Sequence, residues 1–425
     1  MSAEAISIAA LLVMFLVGTV LPINIGILAF VATFVVGTSA LGMTEDEIFA
    51  GFPVNLFVTI VGVTYLFSIA RRNGTIDLLV TAGVRLVRGK VALIPWVLFV
   101  VASVLTAFGT FTPAAVAILA PIGMNFAFQH RLNPLMMGMM VISGAHAGAF
   151  SPIAVSGALV LDMVEDTSVS VSAPTLFFAS FGFNLLLSAL TFVLLHWRAR
   201  ARVPAGATGS TAAAEPAEPA EGTTTGVTWR QALTLVALLV LVVGALVFEL
   251  QIGFLALAAG AVLALVDMKN QEKAVEGIGW STILLVAGMM TYVAMLEHAG
   301  TIEMISEHAA GVGAPLVVAL LLCFTVAVTS AFASSTAILT AIIPIAVPLL
   351  LASHLSPAGL IAALAISTTI VDVSPFSTNG ALVLSNARGV DRQGFYRQVM
   401  SYTAGIVGLG PVLAWGTLVL VPWSF

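Results

Sequence analysis

The stretch SPFSTNG, Ser374 to Gly380, sets Ser374, Ser377, Thr378 and Asn379 within seven residues of chain, directly after Asp372. Oxygens at this density suit two ligands. One is a hard cation held by hydroxyls and carbonyls, and the other is an anion held by hydroxyls, amides and free N–H groups. Pro375 lacks an N–H and disfavours helix at the residue before it, so a helix over 357–387 must break at Asp372–Pro375 and free carbonyls there. Ser151-Pro152 predicts the same break within 134–163. Asp372 is the carboxylate set deepest in an apolar run, where charge is expensive and usually functional, as a cation ligand or a proton carrier. His146, in SGAHAG just before the first break, can donate to an anion or titrate.

Two other polar points interrupt apolar hairpins: Gly109-Thr110-Phe111-Thr112-Pro113 and Ala333-Ser334-Ser335-Thr336. Thr112 is expected to cap a helix with Pro113 at its first position, and Ser334 or Ser335 to cap another. Helix starts that face one another with free N–H groups and hydroxyls bind carboxylate or phosphate oxygens without a buried cation. A single hydroxyl so placed more often satisfies a carbonyl in tight helix packing. Two of them, placed alike in two hairpins, favour an anion site.

The elements that carry these residues are transmembrane helices. Of 425 residues only 35 are charged and 60% are apolar, with mean hydropathy +1.12, which excludes a soluble domain and argues against nucleic-acid binding. Cys323, the one cysteine, reads as a small buried hydrophobe. Met1 to Glu4 lacks the basic region of a signal peptide, so the first apolar run is expected to be an uncleaved span. Apolar runs fall at 5–21, 25–42, 50–70, 91–108, 114–129, 134–163 and 172–196, and again at 229–249, 251–267, 278–296, 315–331, 336–353, 357–387 and 396–423. Between them, 203–228 is Pro, Ala, Gly, Thr and Glu, the composition of a flexible linker.

The chain is duplicated. At an offset of 223, AFSPIAVSGALVL (149–161) lies over DVSPFSTNGALVL (372–384) with seven identities in thirteen positions. Gly74-Thr75-Ile76-Asp77 falls on Gly300-Thr301-Ile302-Glu303, and Ile25-Gly26 on Ile252-Gly253. With the N-terminus outside and 91–129 a single hairpin, 71–90, 130–133, 197–230, 268–276 and 386–397 become cytoplasmic and hold all fifteen Lys and Arg residues, as the positive-inside bias requires. The expected fold is therefore all-α and membrane-embedded, an inverted repeat of five crossings plus one hairpin per half. The halves are 1–196 and 229–425, joined by a cytoplasmic linker at 197–228. The hairpins at 91–129 and 315–353 have small uncharged tips and are expected to re-enter, and 74–90 and 300–312 to lie in the interface.

The run LPINIGILAFVATFVVGTSALGMTEDEIFAGFPVNLFVTIVGVTYLFSIARRNGTID (21–77) closely resembles the N-terminal region of the bacterial malonate and dicarboxylate carrier family. SAFASSTAILTAIIPI and VDVSPFSTNGALVLSNA look like the same family and, more distantly, the divalent anion:sodium symporters of the ion transporter superfamily. The resemblance implies a homodimer with a scaffold part and a mobile part working as an elevator, with substrate between the tips and sodium beside each. Relatives carry Ser-Asn-Thr at each tip. Here Ser334-Ser335-Thr336 keeps the outer two positions, while Phe111-Thr112-Pro113 matches none. The resemblance carries a sodium site onto Ser330, Ala333 and Ser334 with Asp372, Ser374 and Pro375, and a first site onto Thr110 and Gly148. Substrate contacts are expected from Thr112, Pro113, His146, Ser335, Thr336, Ser377, Thr378 and Asn379.

The expectation is a bacterial inner-membrane importer of malonate or a C4 dicarboxylate, coupled to sodium or else to protons. No cofactor beyond the coupling ion and no enzyme chemistry is expected, and both termini face outside. An intramembrane hydrolase using Ser156-Gly157 with His146 is a poor rival, because Ala154 stands where a nucleophile elbow needs glycine. A channel is a second rival, but the sequence offers no charged ring or carbonyl filter.

Overall fold

The computed structural model describes residues 3–21, 23–86, 90–165, 167, 169–201, 227–268, 271–301, 304, 314–332, 334–351, 353 and 355–420. Of the described residues 82% are helical, and none of them is in a strand. The first half contains α1 (Ala3–Val20), α2 (Ile25–Ala40), α3 (Glu45–Ala50), α4 (Val54–Arg72), α5 (Thr75–Leu86), α6 (Ile94–Ala107), α7 (Thr112–Gln129), α8 (Pro134–Gly148), α9 (Val155–Glu165) and α10 (Ala173–Ala201). The second contains α11 (Trp229–Leu246), α12 (Ile252–Val266), α13 (Gln271–Glu276), α14 (Trp280–His298), α15 (Pro315–Ser330), α16 (Ser335–Leu351), α17 (Pro357–Thr369), α18 (Thr378–Asn386) and α19 (Arg392–Leu418). The linker at 203–226, most of 300–312 and Ala333 lie outside the described residues.

Among the described residues seven segments are long and apolar enough to cross a membrane: 54–72, 112–129, 173–195, 229–246, 280–298, 357–386 and 392–418. This is a multi-pass membrane protein. Helices α2 and α12, expected as spans over 25–42 and 251–267, run for only 16 and 15 residues. At 1.5 Å per residue each falls several Å short of a hydrocarbon core of about 30 Å. Asn24 and Gln251 set where they begin, accepting from Gly26 N and Phe254 N over 2.9 and 2.8 Å.

The same crossing is built twice. A Cβ on Gly26 of α2 would lie 1.9 Å from the Leu284 carbonyl of α14, and one on Gly288 would lie 2.0 Å from the Gly26 carbonyl. In α4 and α12, Gly62 and Gly253 meet the same way, with a Cβ on Gly62 2.3 Å from Gly253 O. Only glycine permits such backbone contact. Each pair joins one half of the chain to the other. The cap residues reach across too: Asn24 Nδ2 donates to Ser281 O over 2.8 Å, and Gln251 Nε2 to Thr59 Oγ1 over 3.2 Å.

At the centre stand the two broken helices. Every residue of α8 from Leu135 to Gly148 is buried, as is every residue of α17 from Gly359 to Thr369, whereas α1, α11 and α12 present apolar side chains such as Leu12, Leu239 and Phe254 outward. Helices buried on all sides are spans shielded by other spans. The hairpin helices pack reciprocally on them, α7 against α8 and α18, and α16 against α17 and α9.

Candidate functional site

Both breaks lie where proline requires them, with the same internal geometry. After α17 a 3-10 turn covers Ile370–Val373 and ends in the extended Ser374 that precedes Pro375. The Ser377 hydroxyl caps α18, accepting from Gly380 N over 3.2 Å, and donates to the Ser374 carbonyl over 2.8 Å and to the Asp372 carbonyl. A Cβ on Gly380 would lie 2.0 Å from Ser374 O, and one on Gly157 2.0 Å from Ser151 O. The repeat offset of 223 relates these two contacts. In the first break, the Ser151 hydroxyl donates to the Ala107 carbonyl at the end of α6, fixing the break to the hairpin.

The tips place helix starts beside the breaks, with one correction to the expected capping. Phe111, not Thr112, occupies the cap position of α7, and its carbonyl accepts from Ala115 N over 3.1 Å. Thr112 is the first helical residue and Pro113 the second. Proline has no donor to lose at that place, so the helix starts one residue earlier at no cost in hydrogen bonds. At the second tip Ser334 precedes α16, its carbonyl accepting from Ile338 N over 3.0 Å. Ser335 is not a cap. Its hydroxyl donates to Asp372 Oδ2 over 2.8 Å.

Four side chains from four segments meet there. Asn379 Nδ2, at the start of α18, lies 3.5 Å from Asp372 Oδ2 and 3.4 Å from His146 Nε2, near the end of α8. His146 Nε2 is also 3.6 Å from Asp372 Oδ2. Buried atoms His146 Nδ1, Asn379 Oδ1 and Thr110 Oγ1 have no hydrogen-bond partner among the described residues. Orphaned buried polar atoms are rare and point to a missing partner such as a ligand, ion or water.

This cluster floors a cavity of about 460 Å³. From the tips and breaks it is lined by Phe111, Thr112, Pro113, Ser156, Phe332, Ser334, Ser335, Thr336, Phe376, Ser377 and Thr378, and from the opposite side by Asn24, Ile25, Ser281 and Thr282. Among the described residues lining it there is no Lys or Arg, and Asp372 is the one carboxylate. Chemically it offers hydroxyls, amides, first-turn N–H groups of α7 and α16, a histidine and one carboxylate. No group of three or more His, Cys, Asp and Glu side chains forms among the described residues, and most of the polar atoms lining the cavity are oxygens, the preference of a hard ion.

Of the residues singled out from sequence, Thr112, Pro113, His146, Ser334, Ser335, Thr336, Asp372, Ser377, Thr378 and Asn379 come together around this cavity. Ser330, Thr110, Gly148, Ser374 and Pro375 are not among the residues lining it. The Ser330 hydroxyl donates to the Thr368 carbonyl over 2.7 Å, and Ser374 Oγ accepts from Phe376 N over 3.2 Å. Ala333 lies outside the described residues. Asn24, Ser281 and Thr282 were not anticipated. The repeat of Asn24-Ile25-Gly26 as Gln251-Ile252-Gly253 is the signal that marks Asn24. Ser156 lines the cavity, but His146 Nε2 faces Asn379 and Asp372, so no Ser–His couple for a hydrolase is formed.

Comparison with known proteins agrees with this architecture. Residues 1–149 match the family model described as dicarboxylate carrier protein MatC N-terminus. The fold is similar to the crystal structure of the YdaH transporter of Alcanivorax borkumensis, described as having an unusual topology, with TM-score 0.63 and 16% identity over 89% of this chain and 88% of that one. No curated protein sequence matches the chain.

Proposed function

We propose that this chain is a secondary carrier that imports a small dicarboxylate, malonate or a C4 acid, by symport with sodium. One observation carries the proposal: a cavity of about 460 Å³ between two helix starts and two broken helices, rich in hydroxyls and amides, with no Lys or Arg and one carboxylate among the described residues that line it. A dianion entering such a cavity meets hydrogen-bond donors but no fixed cation. Moving it inward against a negative-inside potential costs about 2.3 kcal/mol per charge per 100 mV. Accompanying cations offset both penalties. The match of residues 1–149 to a dicarboxylate carrier family supports the substrate class.

In this reading Thr112, Pro113, His146, Ser335, Thr336, Ser377, Thr378 and Asn379 hold the carboxylates. Ser330, Ala333, Ser334, Asp372, Ser374 and Pro375 hold one sodium, and Thr110 and Gly148 contribute to another. The cavity has two walls: the tips and broken helices on one side, α2 and α14 on the other. A mobile part carrying the first wall past a fixed second wall is elevator transport, with re-entrant hairpins, inverted halves at 1–196 and 229–425, a cytoplasmic linker, and a homodimer in the bacterial inner membrane.

A second reading, proton coupling, is favoured by the buried group of His146, Asn379 and Asp372. A bare Nε2 accepts from Asn379 Nδ2, whereas a protonated ring would donate from Nε2 to Asp372 Oδ2 instead, so one proton changes the partner of His146. Uptake of labelled malonate into proteoliposomes, driven separately by sodium and proton gradients, decides between the readings.

A further inference from the structure

A second cavity, of about 640 Å³, lies far from the first in the chain's organisation, where four helix ends converge: the end of α7, the start of α8, the end of α10 and the start of α19. It is lined by Arg131, Asn133, Arg397, Gln398, Ser401 and Tyr402 on its polar side, and by Leu132, Leu135 and Leu195 on its apolar side. No acidic residue lines it, and both arginines are exposed and make no ion pair among the described residues. Tyr402 is already tied to Thr191 over 2.8 Å, and Ser401 to the Arg397 carbonyl over 2.9 Å. The two guanidinium groups are thus the charged donors of this lining, beside the amides of Asn133 and Gln398. Outside the cavity, the neighbouring helix surfaces are apolar and exposed at Phe128, Val193 and Leu194.

The backbone carrying Arg131 is unusual. Leu132 N bonds back to Ala127 O over 2.9 Å, closing α7 in the turn that ordinarily places glycine at the residue between cap and exit. Arg131 occupies that place at φ 53°, in the left-handed region that L side chains avoid. Glycine would fit this backbone better, so what the position gains from arginine is the side chain.

We propose that this cavity binds the headgroup of an anionic phospholipid. Two arginines from different helices match a phosphate that each can grip with a planar fork of donors. The apolar side and the exposed Phe128, Val193 and Leu194 match acyl chains leaving the cavity along the helices. Basic pockets between helix ends at the membrane surface are the expected receptors for such lipids. A free phosphate would use the arginines but not the leucine wall. Two arginines with no carboxylate among the described lining residues favour an anionic headgroup over a zwitterionic one, whose cationic part would meet no partner there.

Native mass spectrometry of the full chain, purified from membranes and exchanged into detergent with defined lipids, tests the assignment. The protein is expected to retain phosphatidylglycerol in preference to phosphatidylcholine, and millimolar inorganic phosphate or glycerol phosphate should not displace it. Arg131→Gly relieves the left-handed backbone, so the variant should unfold no earlier than the parent on heating, yet weaken phosphatidylglycerol binding at least tenfold. Arg397→Gln should weaken it similarly. Retention of phosphatidylglycerol in both variants at the parent's level overturns the proposal. So does displacement by inorganic phosphate, which would make the cavity a site for a soluble anion.

Discussion

The Ser335 hydroxyl at the second hairpin tip donates to Asp372 Oδ2 in the second broken helix over 2.8 Å. The two residues lie 37 apart in sequence and on separate membrane segments. Their bond ties the start of α16 to the break, so an anion at the tip and a cation at the carboxylate would be neighbours. In the symport proposed above, that proximity would let one ligand favour the other.

Thr336 lines the same cavity one residue further along α16. A hydroxyl donating to a charged group contributes about 1.5 to 3 kcal/mol. Thr336→Ala is expected to weaken malonate binding roughly 10- to 150-fold, measured by calorimetry or by scintillation proximity on purified protein. Thr44→Ala, in the remote capping box of α3, should leave affinity unchanged. Equal affinities in the two variants would remove the tip from the site.

Asp372→Asn distinguishes the two coupling readings. With sodium coupling, the sodium concentration for half-maximal uptake rises and the pH profile stays as it was. With proton coupling, the pH dependence of net uptake disappears while substrate counterflow continues. A variant with parental sodium dependence, pH dependence and rate would make Asp372 structural and take it out of both.

Gly26 and Gly288 carry the crossing of α2 and α14. A side chain at Gly26 meets backbone at 1.9 Å, which no rotamer change relieves, so Gly26→Ala must part the two helices. Overpacking of this kind costs about 1 to 3 kcal/mol. In detergent, the thermal midpoint of Gly26→Ala should fall clearly below that of the parent, while Gly182→Ala, with nothing within 4 Å of its new Cβ, should not. A parental midpoint for Gly26→Ala would mean the helices do not cross there.

Orientation is tested by labelling single cysteines in intact cells. One placed at Thr211 should react only after the membrane is permeabilised, and one at Asp46 should react from outside. The reverse pattern would overturn the inward-positive assignment of the basic segments.

The breaks were legible in the sequence because Pro152 and Pro375 act locally, forbidding helix at the residue before each whatever surrounds them. The polar density of 374–380 is local too, and ten of the residues named from sequence line the cavity. The far wall was not legible. Asn24 and Ser281 are 257 residues apart, and the bond between them forms only where α2 crosses α14, a contact that the local cap of Asn24 on Gly26 does not foretell. The capping of α7 was misplaced by one residue because Pro113 fits either of the first two helical positions, and sequence alone does not choose between them.

Reconstituted into liposomes, the purified protein should accumulate labelled malonate or a C4 dicarboxylate above its external concentration when an inward sodium gradient is imposed, and stop when that gradient is collapsed. Uptake that follows a proton gradient instead would transfer coupling to the group around His146 and Asp372. No accumulation of any small dicarboxylate under either gradient, from protein shown to be folded, would contradict the assignment of the cavity as a carrier site.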